Sequence, residues 1–466
     1  MTPLLVRNVE IAGCPGLDVV IHDGTVAEIG TGLSVPARCE LIDGLGGALI
    51  PGLHDHHIHL HALAADKTSV RCGPPRVTTA VELARALDDA PGHGWFRGVG
   101  YAESVAGMLE VDTLDRLHAR RPVRIQHRSG ALWFLNSAAA ALAELETADH
   151  PGVERDDRGI PTGRVWRSDT WLRGRLPETD PPPLDSIGAM LARHGVTGLT
   201  EATPDLAPST LESLVDAHIT GAIPQQMRLL GVPLGAEAAI GGLTAGAYKV
   251  VLADSSLPDI DDLARTIRRA HDSGRGVAVH CVSRDALVIL LAALGEAGSH
   301  PEDRIEHGAL IPSELIPELR RLGMTVVTQP GFLADRGDAY LRDVDPRDLS
   351  DLYRCRSLLD DGVPLALSSD APYGPVDPWE VMAAARSRKC ATGEVVGRGE
   401  RLVPAEALER YLAPLDDPGG AARTVAIGAQ ADLVLLDRPL TDALRDSAAD
   451  MVRATLIAGR CCYQRS

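Results

Sequence analysis

The sequence predicts an α/β protein: a (β/α)8 TIM barrel with a small β-sandwich domain formed from both chain termini. Three observations predict this fold. Apolar strand segments alternate with helical segments through the middle of the chain, both termini are rich in short strands, and polar side chains stand where the middle strands end. At 466 residues the chain is long enough for one large barrel plus an accessory domain.

Both termini are predicted to form short strands joined by turns. Asp23-Gly24 lies between two apolar runs and is a hairpin signal. The predicted strands are 4–11, 17–22, 25–29 and 39–42 near the N-terminus, and 424–427, 431–437 and 451–459 near the C-terminus. We therefore expect one β-sandwich domain from residues 1–50 and 415–466.

The middle of the chain, residues 51–414, has the pattern of repeated βα units, which build parallel sheets. Helices are predicted over 259–273, 283–295 and 312–322. Eight strands are predicted, the number that closes a (β/α)8 barrel: 49–60, 198–202, 226–232, 248–253, 276–282, 304–308, 325–331 and 364–371.

Residues from about 61 to 190 do not follow this alternation and are predicted to be a long insertion in the barrel. The segment is rich in arginine and holds four of the five tryptophans, Trp95, Trp133, Trp166 and Trp171. Insertions of this kind either cover the mouth of an active site or form a separate core on the flank of the barrel. Both alternatives remain open.

Charge and composition exclude several classes of partner. A formal net charge of −18 argues against binding to nucleic acid or to an anionic membrane surface. The sequence shows neither a signal peptide nor an apolar run long enough to cross a membrane. The eight cysteines are scattered without a CxxC pair, as reduced thiols are. We predict a cytoplasmic protein with a small-molecule substrate, possible self-association, and neither nucleic-acid nor membrane partners.

A histidine-rich stretch follows the first apolar strand of the predicted barrel. Residues 54–59 contain four histidines, and residues two apart on a strand project from one face. His57 and His59 can thus point together at a metal ion, a common use of the His-x-His pattern. The pairs His54/His56 and His59/His61 offer two other registers, and half-buried histidines without a metal are the plain alternative.

Four more strands place chemically useful side chains where catalytic groups sit in a barrel, at or near the C-terminal ends. These residues are Lys249, His280, His307 and Asp370. Each has an ordinary explanation when taken alone, such as a helix cap for Asp370 or an ammonium reaching solvent for Lys249. Together with His57 and His59, they favour one metal site at one end of the barrel.

The chain resembles the amidohydrolase superfamily, and most closely its amidohydrolase-3 (YtcJ-like) branch, over essentially its whole length. The opening motif Pro51-Gly52-Leu53-x-Asp55-x-His57-x-His59 fixes the register on His57 and His59. Further matching segments are Gly246-Ala247-Tyr248-Lys249, Asp303-Arg304-Ile305-Glu306-His307, Gln329-Pro330, Ser369-Asp370-Ala371-Pro372, Gly428-Ala429-Gln430-Ala431-Asp432-Leu433-Val434, Arg121-Pro122-Val123 and Asn136-Ser137.

The resemblance implies a binuclear metal centre. His57 and His59 would bind one divalent ion, His280 and His307 the second, and a carbamate formed from CO2 on Lys249 would bridge them. Two zinc ions are expected, with iron, manganese or nickel as alternatives. Asp370 would contact metal and a bridging water, and would act as general base and then general acid.

This centre predicts a metal-dependent hydrolase that uses metal-activated hydroxide on a non-peptide C–N bond, in an amide, an N-acyl or N-formyl compound, or a cyclic amide. With Lys249 unmodified, the site would instead hold one metal on His57, His59, His280 and Asp370. In the superfamily that arrangement is associated with deaminases of aminated heterocycles, in which His307 would polarise the water or substrate.

Substrate contacts are predicted less directly. Tyr101, Trp133, Trp166 and Gln329 are candidate pocket-lining residues, and Arg164, Arg167, Arg173 and Arg175 either bind a carboxylate or form surface ion pairs. The branch usually has Ala-Ile-Gly-Asp after the histidine of the fifth strand, where this chain has Cys281-Val282-Ser283-Arg284. Arg284 therefore either meets an acidic group of the substrate or is a solvated arginine at a helix start.

Overall fold

The computed structural model of the protein describes residues 2–34, 38–74, 76–92, 94–176, 182–236, 239–445 and 448–465, without the side chains of 169 and 170. The chain forms two compact units. The first unit comprises Met1–Leu60 and Leu184–Ser466, and the second comprises His61–Pro183. Among the described residues, no helix is both long enough and apolar enough to cross a membrane.

The first unit contains strands and helices in alternation. Its described strands are Leu4–Ile11, Cys14–His22, Thr25–Gly30, Glu40–Asp43, Leu49–Pro51, Leu53–Ile58, Val196–Glu201, Gln226–Leu229, Ala239–Ile240, Leu243–Ala245, Tyr248–Val251, Val277–Cys281, Arg304–His307, Thr325–Thr328, Leu365–Leu367, Leu433–Leu436, Val452–Ile457 and Arg460–Gln464. Its described α-helices are Asp185–Arg193, Pro208–Ile219, Ile260–Asp272, Arg284–Ala297, Ile316–Leu322, Gly331–Asp343, Arg356–Asp360, Pro378–Ser387, Pro404–Leu412 and Leu440–Ala443. Short 3-10 turns cover Ser313–Leu315, Leu349–Asp351, Arg398–Glu400 and Ala449–Met451.

The middle strands of the first unit form two five-stranded sheets. Each of the eight predicted strands overlaps an observed one. One sheet has the order Ala239–Ile240, Leu243–Ala245, Gln226–Leu229, Val196–Glu201, Leu53–Ile58. The other has the order Tyr248–Val251, Val277–Cys281, Arg304–His307, Thr325–Thr328, Leu365–Leu367, and all its neighbours are parallel.

Backbone hydrogen bonds join the two sheets at two places. At one junction Lys249 N donates to the Leu230 carbonyl at 3.1 Å. At the other, Asp370 N donates to the His57 carbonyl at 2.8 Å, and His59 N donates to the Ala371 carbonyl at 2.9 Å. The second junction therefore places the end of the first predicted barrel strand directly beside the end of the last.

Helices cover the outer faces of these strands. The predicted helix over 283–295 is observed as Arg284–Ala297, where Ser283 accepts a hydrogen bond from Ala286 N at 3.2 Å as the N-cap. Helix Ile260–Asp272 is capped in the same way by Asp259. One buried cluster unites these helices with the outward side chains of the strands, including Leu263, Ile267, Leu287, Leu290, Val277, Val279 and Ile305. This packing holds the strand ends in place.

The first predicted barrel strand, 49–60, is broken at Gly52. Leu49–Pro51 pairs with Leu433–Leu436 near the C-terminus, whereas Leu53–Ile58 pairs with Val196–Glu201. A Cβ at position 52 would lie 2.1 Å from Thr197 Oγ1, so only glycine leaves room for the Thr197 side chain. The chain changes sheets at this residue, which an apolar run alone does not reveal.

The two termini build two four-stranded sheets that share one buried core. Leu4–Ile11 is a central strand of one sheet, and Leu433–Leu436 is a central strand of the other. Asp23 and Gly24 form the predicted hairpin turn with φ values of 49° and 79°. The predicted strand 424–427 is wrong: it takes part in no ladder, and an isolated bridge from Thr25 to Gln430 is the nearest pairing. The division into domains at 50/51 and 414/415 stays a prediction.

The second unit has its own sheet and its own core. Its strands, Val70–Arg71, Phe96–Tyr101, Val123–His127, Leu132–Leu135, Val153–Arg155 and Pro161–Trp166, form one mixed sheet. Its described helices are Leu60–Lys67, Ala80–Asp88, Glu103–Ala106, Val111–Leu117, Ser137–Leu142 and Asp169–Arg173. Residues 75, 93 and 177–181 of the predicted insertion lie outside the described residues. The regular βα repeat of the first unit does not continue through this segment.

Candidate metal centre

Three side chains converge where the two sheets meet. His57 lies near the end of the strand Leu53–Ile58, His59 directly follows that strand, and Asp370 follows Leu365–Leu367. Asp370 Oδ1 lies 3.4 Å from His57 Nε2 and 3.3 Å from His59 Nε2. One ligand atom from each residue lies within 4.8 Å of the others, so the three form a candidate metal site.

The imidazole of His57 is fixed by a partner on its opposite nitrogen. His57 Nδ1–H donates to the Glu306 carboxylate, which leaves Nε2 as the nitrogen with a free lone pair. Burial, and then the nearby Lys249 charge, hold the pKa of His57 well below its usual value. The ring is therefore neutral and can act as a metal ligand.

His59 is held in a comparable way. A hydrogen bond of 3.0 Å joins its Nδ1 to Thr203 Oγ1. Glu201 lies behind this contact, since its carboxylate accepts from Thr203 N at 2.9 Å and from Leu60 N at 2.7 Å. A partner on one imidazole nitrogen that directs the other nitrogen towards the site is the usual arrangement around a metal-binding histidine.

Two buried atoms at this site fit a cation. His57 Nε2 and Asp370 Oδ1 are enclosed and have no hydrogen-bond partner among the described residues. Both atoms are acceptors and they face one another at 3.4 Å, although buried polar groups are normally satisfied. A divalent cation between them would satisfy both, so the residues present fit the metal that the sequence predicts.

The other predicted ligands lie next to this cluster. The ring centroids of His57 and His307 are 4.9 Å apart, and those of His280 and His307 are 4.6 Å apart. Lys249 is buried, which lowers the pKa of its ammonium. Burial also lowers the pKa of His307, with further contributions from the charges of His280, His57 and Lys249. The structure thus brings all six predicted residues together. Their roles as metal ligands stay predictions.

The backbone at two of these positions has an uncommon conformation. His307 has a φ of 72° and Asp370 a φ of 52°, in the left-handed region that non-glycine residues rarely adopt. Such conformations concentrate at functional sites, where the surrounding structure holds them. Here each one turns the chain at the end of a strand and aims a side chain at the cluster.

Sequence reasoning missed three acidic residues around the cluster. Glu306 binds His57, and Glu201 fixes the loop that holds His59. Asp55 Oδ1 accepts from His57 N at 3.2 Å and from Ser369 N at 3.1 Å, and burial raises the pKa of Asp55 to about 6. The sequence carried a signal for each of them, since Asp55 lies two residues before His57, Glu306 directly precedes His307, and Glu201 lies in the predicted strand 198–202.

The neighbouring histidines do not join the cluster. His54 Nδ1–H donates to the Ala413 carbonyl at 2.9 Å. His56 is fully buried, and burial and the Arg304 charge lower its pKa to about 3. His61 belongs to the second unit. Of the three registers considered from the sequence, the cluster contains the His57/His59 pair.

The four predicted pocket-lining residues occupy different places. Gln329 is buried beside the cluster, where its Oε1 accepts from His307 Nδ1–H at 2.8 Å. In the second unit, Tyr101 is fully buried and donates to the Gly107 carbonyl at 2.7 Å, and Trp133 is 4% exposed. Trp166 is 39% exposed and donates to Glu154 at 2.7 Å. Contact of these residues with substrate stays a prediction.

Three of the arginines considered as carboxylate binders contact acidic or aromatic side chains. Arg284 begins its helix and donates to Asp348 at 2.7 Å and to Glu314 at 3.1 Å. Arg164 is paired with Glu154 and Glu110, and the Arg175 guanidinium stacks over Trp171. Arg164 is therefore ion-paired, and Arg284 lies at a helix start with a side chain that is 42% exposed, as their respective alternatives predict.

Comparisons with known proteins agree with this site. The model of the amidohydrolase family matches residues 40–463. The N-substituted formamide deformylase of Arthrobacter pascens is 25% identical over 99% of this chain and 97% of its own length. The putative amidohydrolase YtcJ of Bacillus subtilis (strain 168) is 25% identical over 90% of each chain.

A solved structure has the same fold. The crystal structure of an uncharacterized metal-dependent hydrolase from Pyrococcus horikoshii OT3 superposes with a TM-score of 0.73 at 20% identity, covering 94% of this chain and 98% of that one. The fold is thus the mixed α/β fold of metal-dependent amidohydrolases. With the family model matched over nearly the whole length, this chain belongs to the amidohydrolase family and is a hydrolase of C–N bonds other than peptide bonds.

Proposed function

We propose that this protein is a binuclear metal-dependent hydrolase that cleaves the C–N bond of a small N-acyl or N-formyl compound, or of a cyclic amide. The observation that carries the proposal is the pair of enclosed acceptor atoms, His57 Nε2 and Asp370 Oδ1, which face each other at 3.4 Å without a hydrogen-bond partner. Such a pair is costly in a protein interior unless a cation lies between the atoms.

The proposal includes a closed (β/α)8 barrel around the site, flanked by a β-sandwich from both termini. Closure is supported by the hydrogen bonds that join the two sheets at Lys249 and at Asp370. The sandwich is supported by the core shared between the two terminal sheets. In such a barrel the C-terminal ends of the strands form the active-site face. Five of the six predicted residues lie at or near a strand end, and Lys249 lies inside the strand Tyr248–Val251.

The roles of the chain's own residues follow from their positions. His57 and His59 would hold one metal ion, and His280 and His307 the second. A bound metal pair would lower the pKa of a water and polarise the scissile carbonyl. Asp370, beside both His57 and His59, would take the proton of the attacking water and deliver it to the leaving nitrogen, which makes the amine a better leaving group.

Lys249 would connect the two halves of the centre. Its burial lowers the pKa of the ammonium and so favours the neutral amine, the form that adds to CO2. The product is a carbamate, N–COO⁻, formed with release of one proton, and its two oxygens would bridge the two metal ions. Zinc is the expected metal, although histidine and carboxylate ligands also accept iron, manganese and nickel.

Two observations support the substrate class. One relative of nearly the same length carries the name N-substituted formamide deformylase, which supports an N-formyl or N-acyl substrate. Arg284, the residue considered from sequence for an acidic group of the substrate, is paired with Asp348 and Glu314. We therefore propose a substrate that needs no carboxylate contact with Arg284.

Metal content together with product analysis tests the proposed function. The purified protein should contain about two equivalents of metal, release amine from N-formyl and N-acyl amines, and lose activity when Lys249 is replaced by alanine. The mononuclear deaminase alternative instead predicts about one equivalent of metal and release of ammonia from an aminated heterocycle. Two metals with no hydrolysis of any N-acyl, N-formyl or cyclic amide would contradict the proposed substrate class.

A further inference from the structure

A buried arginine–glutamate pair lies behind His57, on the side of its Nδ1. Arg304 and Glu306 project from the same strand, and their side chains are 4% and 0% exposed. Arg304 Nε donates to Glu306 Oε1 at 2.5 Å, while Glu306 Oε2 accepts the proton of His57 Nδ1. The carboxylate is thus shared between a cation and an imidazole, with one oxygen for each.

A gain in fold stability is a weak explanation for a buried pair of this kind. Transfer of two charges into a protein interior costs several kcal/mol for each ion, and well-packed apolar residues of similar volume often serve the fold equally well. A buried ion pair at this place therefore calls for another reason. The contacts indicate that the pair holds a neighbouring polar group, the imidazole of His57, in its orientation.

Arg304 also fixes the backbone next to His57. One of its terminal nitrogens donates to the His56 carbonyl at 3.1 Å. A single guanidinium therefore holds both the carboxylate that binds the imidazole and the peptide that carries it. The two contacts link the strand Arg304–His307 to the strand Leu53–Ile58, so His57 has little freedom to rotate or shift.

We propose that Arg304 and Glu306 are a positioning pair that fixes the tautomer and the ring plane of His57. The inference rests on the proposed metal centre and adds residues that hold it in shape. With Glu306 as acceptor, the imidazole proton stays on Nδ1 and the lone pair of Nε2 stays directed at the metal position. With a donor in place of that oxygen, the proton would move to Nε2 and the metal-binding lone pair would be lost.

The variant Glu306→Gln tests the pair with almost no change in volume. A glutamine offers one acceptor and one donor where the carboxylate offers two acceptors. If its oxygen meets His57, its NH2 group meets Arg304 Nε–H; if its oxygen meets Arg304, its NH2 group meets His57. We expect zinc affinity to fall by about 10- to 100-fold, measured by competition with a chromophoric chelator.

The Co2+-substituted protein gives a second readout, which does not depend on turnover. Its visible absorption reports the geometry of the ligands, so Glu306→Gln should shift the spectrum even at saturating Co2+. A matched control is Glu302→Gln, just before the same strand, whose carboxylate accepts from Arg228 at 2.7 Å and is 32% exposed. This control should keep the affinity and the spectrum of the unmodified protein.

The variant His57→Asn distinguishes a failure of the positioning pair from a failure of the proposed metal centre. If His57→Asn binds zinc weakly but Glu306→Gln binds it normally and has an unshifted Co2+ spectrum, the positioning pair is refuted and the metal centre stands. If His57→Asn also binds zinc normally, the metal centre itself is refuted. An equal loss of affinity in Glu306→Gln and Glu302→Gln would likewise overturn the pair, because it would reflect general destabilisation.

Discussion

Gln329→Leu should weaken the half of the metal centre that contains His307. Gln329 is fully buried, and its Oε1 accepts from His307 Nδ1–H at 2.8 Å. Its Nε2 donates to Ser368 Oγ at 2.9 Å and to the Val327 carbonyl at 3.2 Å. Leucine has a similar volume but can neither donate nor accept, so the substitution removes the partner of His307 without leaving a large cavity.

The magnitude follows from the atoms left without partners. An enclosed Nδ1–H with no acceptor costs about 1–3 kcal/mol, which the metal-free protein should lose in unfolding free energy. Loss of the group that orients a ligand weakens metal binding by about 10- to 100-fold. At a fixed free-metal concentration, the unfolding free energy of the metal-loaded protein should therefore fall by a further amount of about 1.4–2.8 kcal/mol.

Chemical denaturation with and without added zinc, combined with chelator competition, measures both losses. The matched control is Gln225→Leu, another fully buried glutamine, which donates to the carbonyls of Gly188 at 2.9 Å and Val196 at 3.3 Å. Gln225→Leu should lower the unfolding free energy but leave zinc affinity unchanged. If Gln329→Leu also keeps its zinc affinity and changes only the KM for substrate, Gln329 binds substrate and our reasoning about His307 is refuted.

Three further predictions concern the catalytic base, the bridging lysine and a buried helix cap. Asp370→Asn should lower kcat by about 100- to 10,000-fold at saturating metal, and a smaller effect would contradict its role as general base. Lys249→Ala should reduce the metal content from about two equivalents to about one and abolish any dependence of activity on bicarbonate. A variant with unchanged metal content would contradict the bridging role. Burial raises the pKa of Asp377 from 3.8 to about 6, so the folded state holds this proton more tightly than the unfolded state. The associated stability is present below pH 3.8 and is lost as the pH rises through about 6, by up to about 3 kcal/mol. Asp377→Asn keeps the hydrogen bond to Trp379 N and should lack this loss when the unfolding free energies from urea denaturation at pH 4.5 and 7.5 are compared. Equal pH dependence of the unfolding free energy in the two proteins would contradict the raised pKa of Asp377.

The sequence predicted the positions of the candidate ligands well, because their spacing and strand context are local. A histidine two residues from another on a strand shares its face, and a polar residue that ends an apolar run lies at the edge of a sheet. Spacing alone left three registers open for the histidine pair, and the resemblance to the amidohydrolase superfamily fixed the pair as His57 and His59. The hydrogen-bond partners of these histidines are harder to recognise from the sequence, since Glu306 and Thr203 are far from them along the chain.

Two errors in the predicted fold have a common physical origin. The strand break at Gly52 depends on the position of the Thr197 side chain. Residues 424–427 form no strand because no described segment pairs with them in a ladder. Strand formation requires pairing with a distant segment, so an apolar run shows only that a strand is possible. Helices such as Ile260–Asp272 were predicted more closely because their caps and periodicity are local.

The metal content of the purified protein and of its His57→Asn variant tests the account most directly. Elemental analysis of the unmodified protein after dialysis against metal-free buffer should give about two equivalents of a divalent metal. His57→Asn should lose the metal shared by His57, His59 and Asp370 and hold about one equivalent or less. Equal metal content in the two proteins, or none in either after growth with added zinc, would contradict a metal centre at this site.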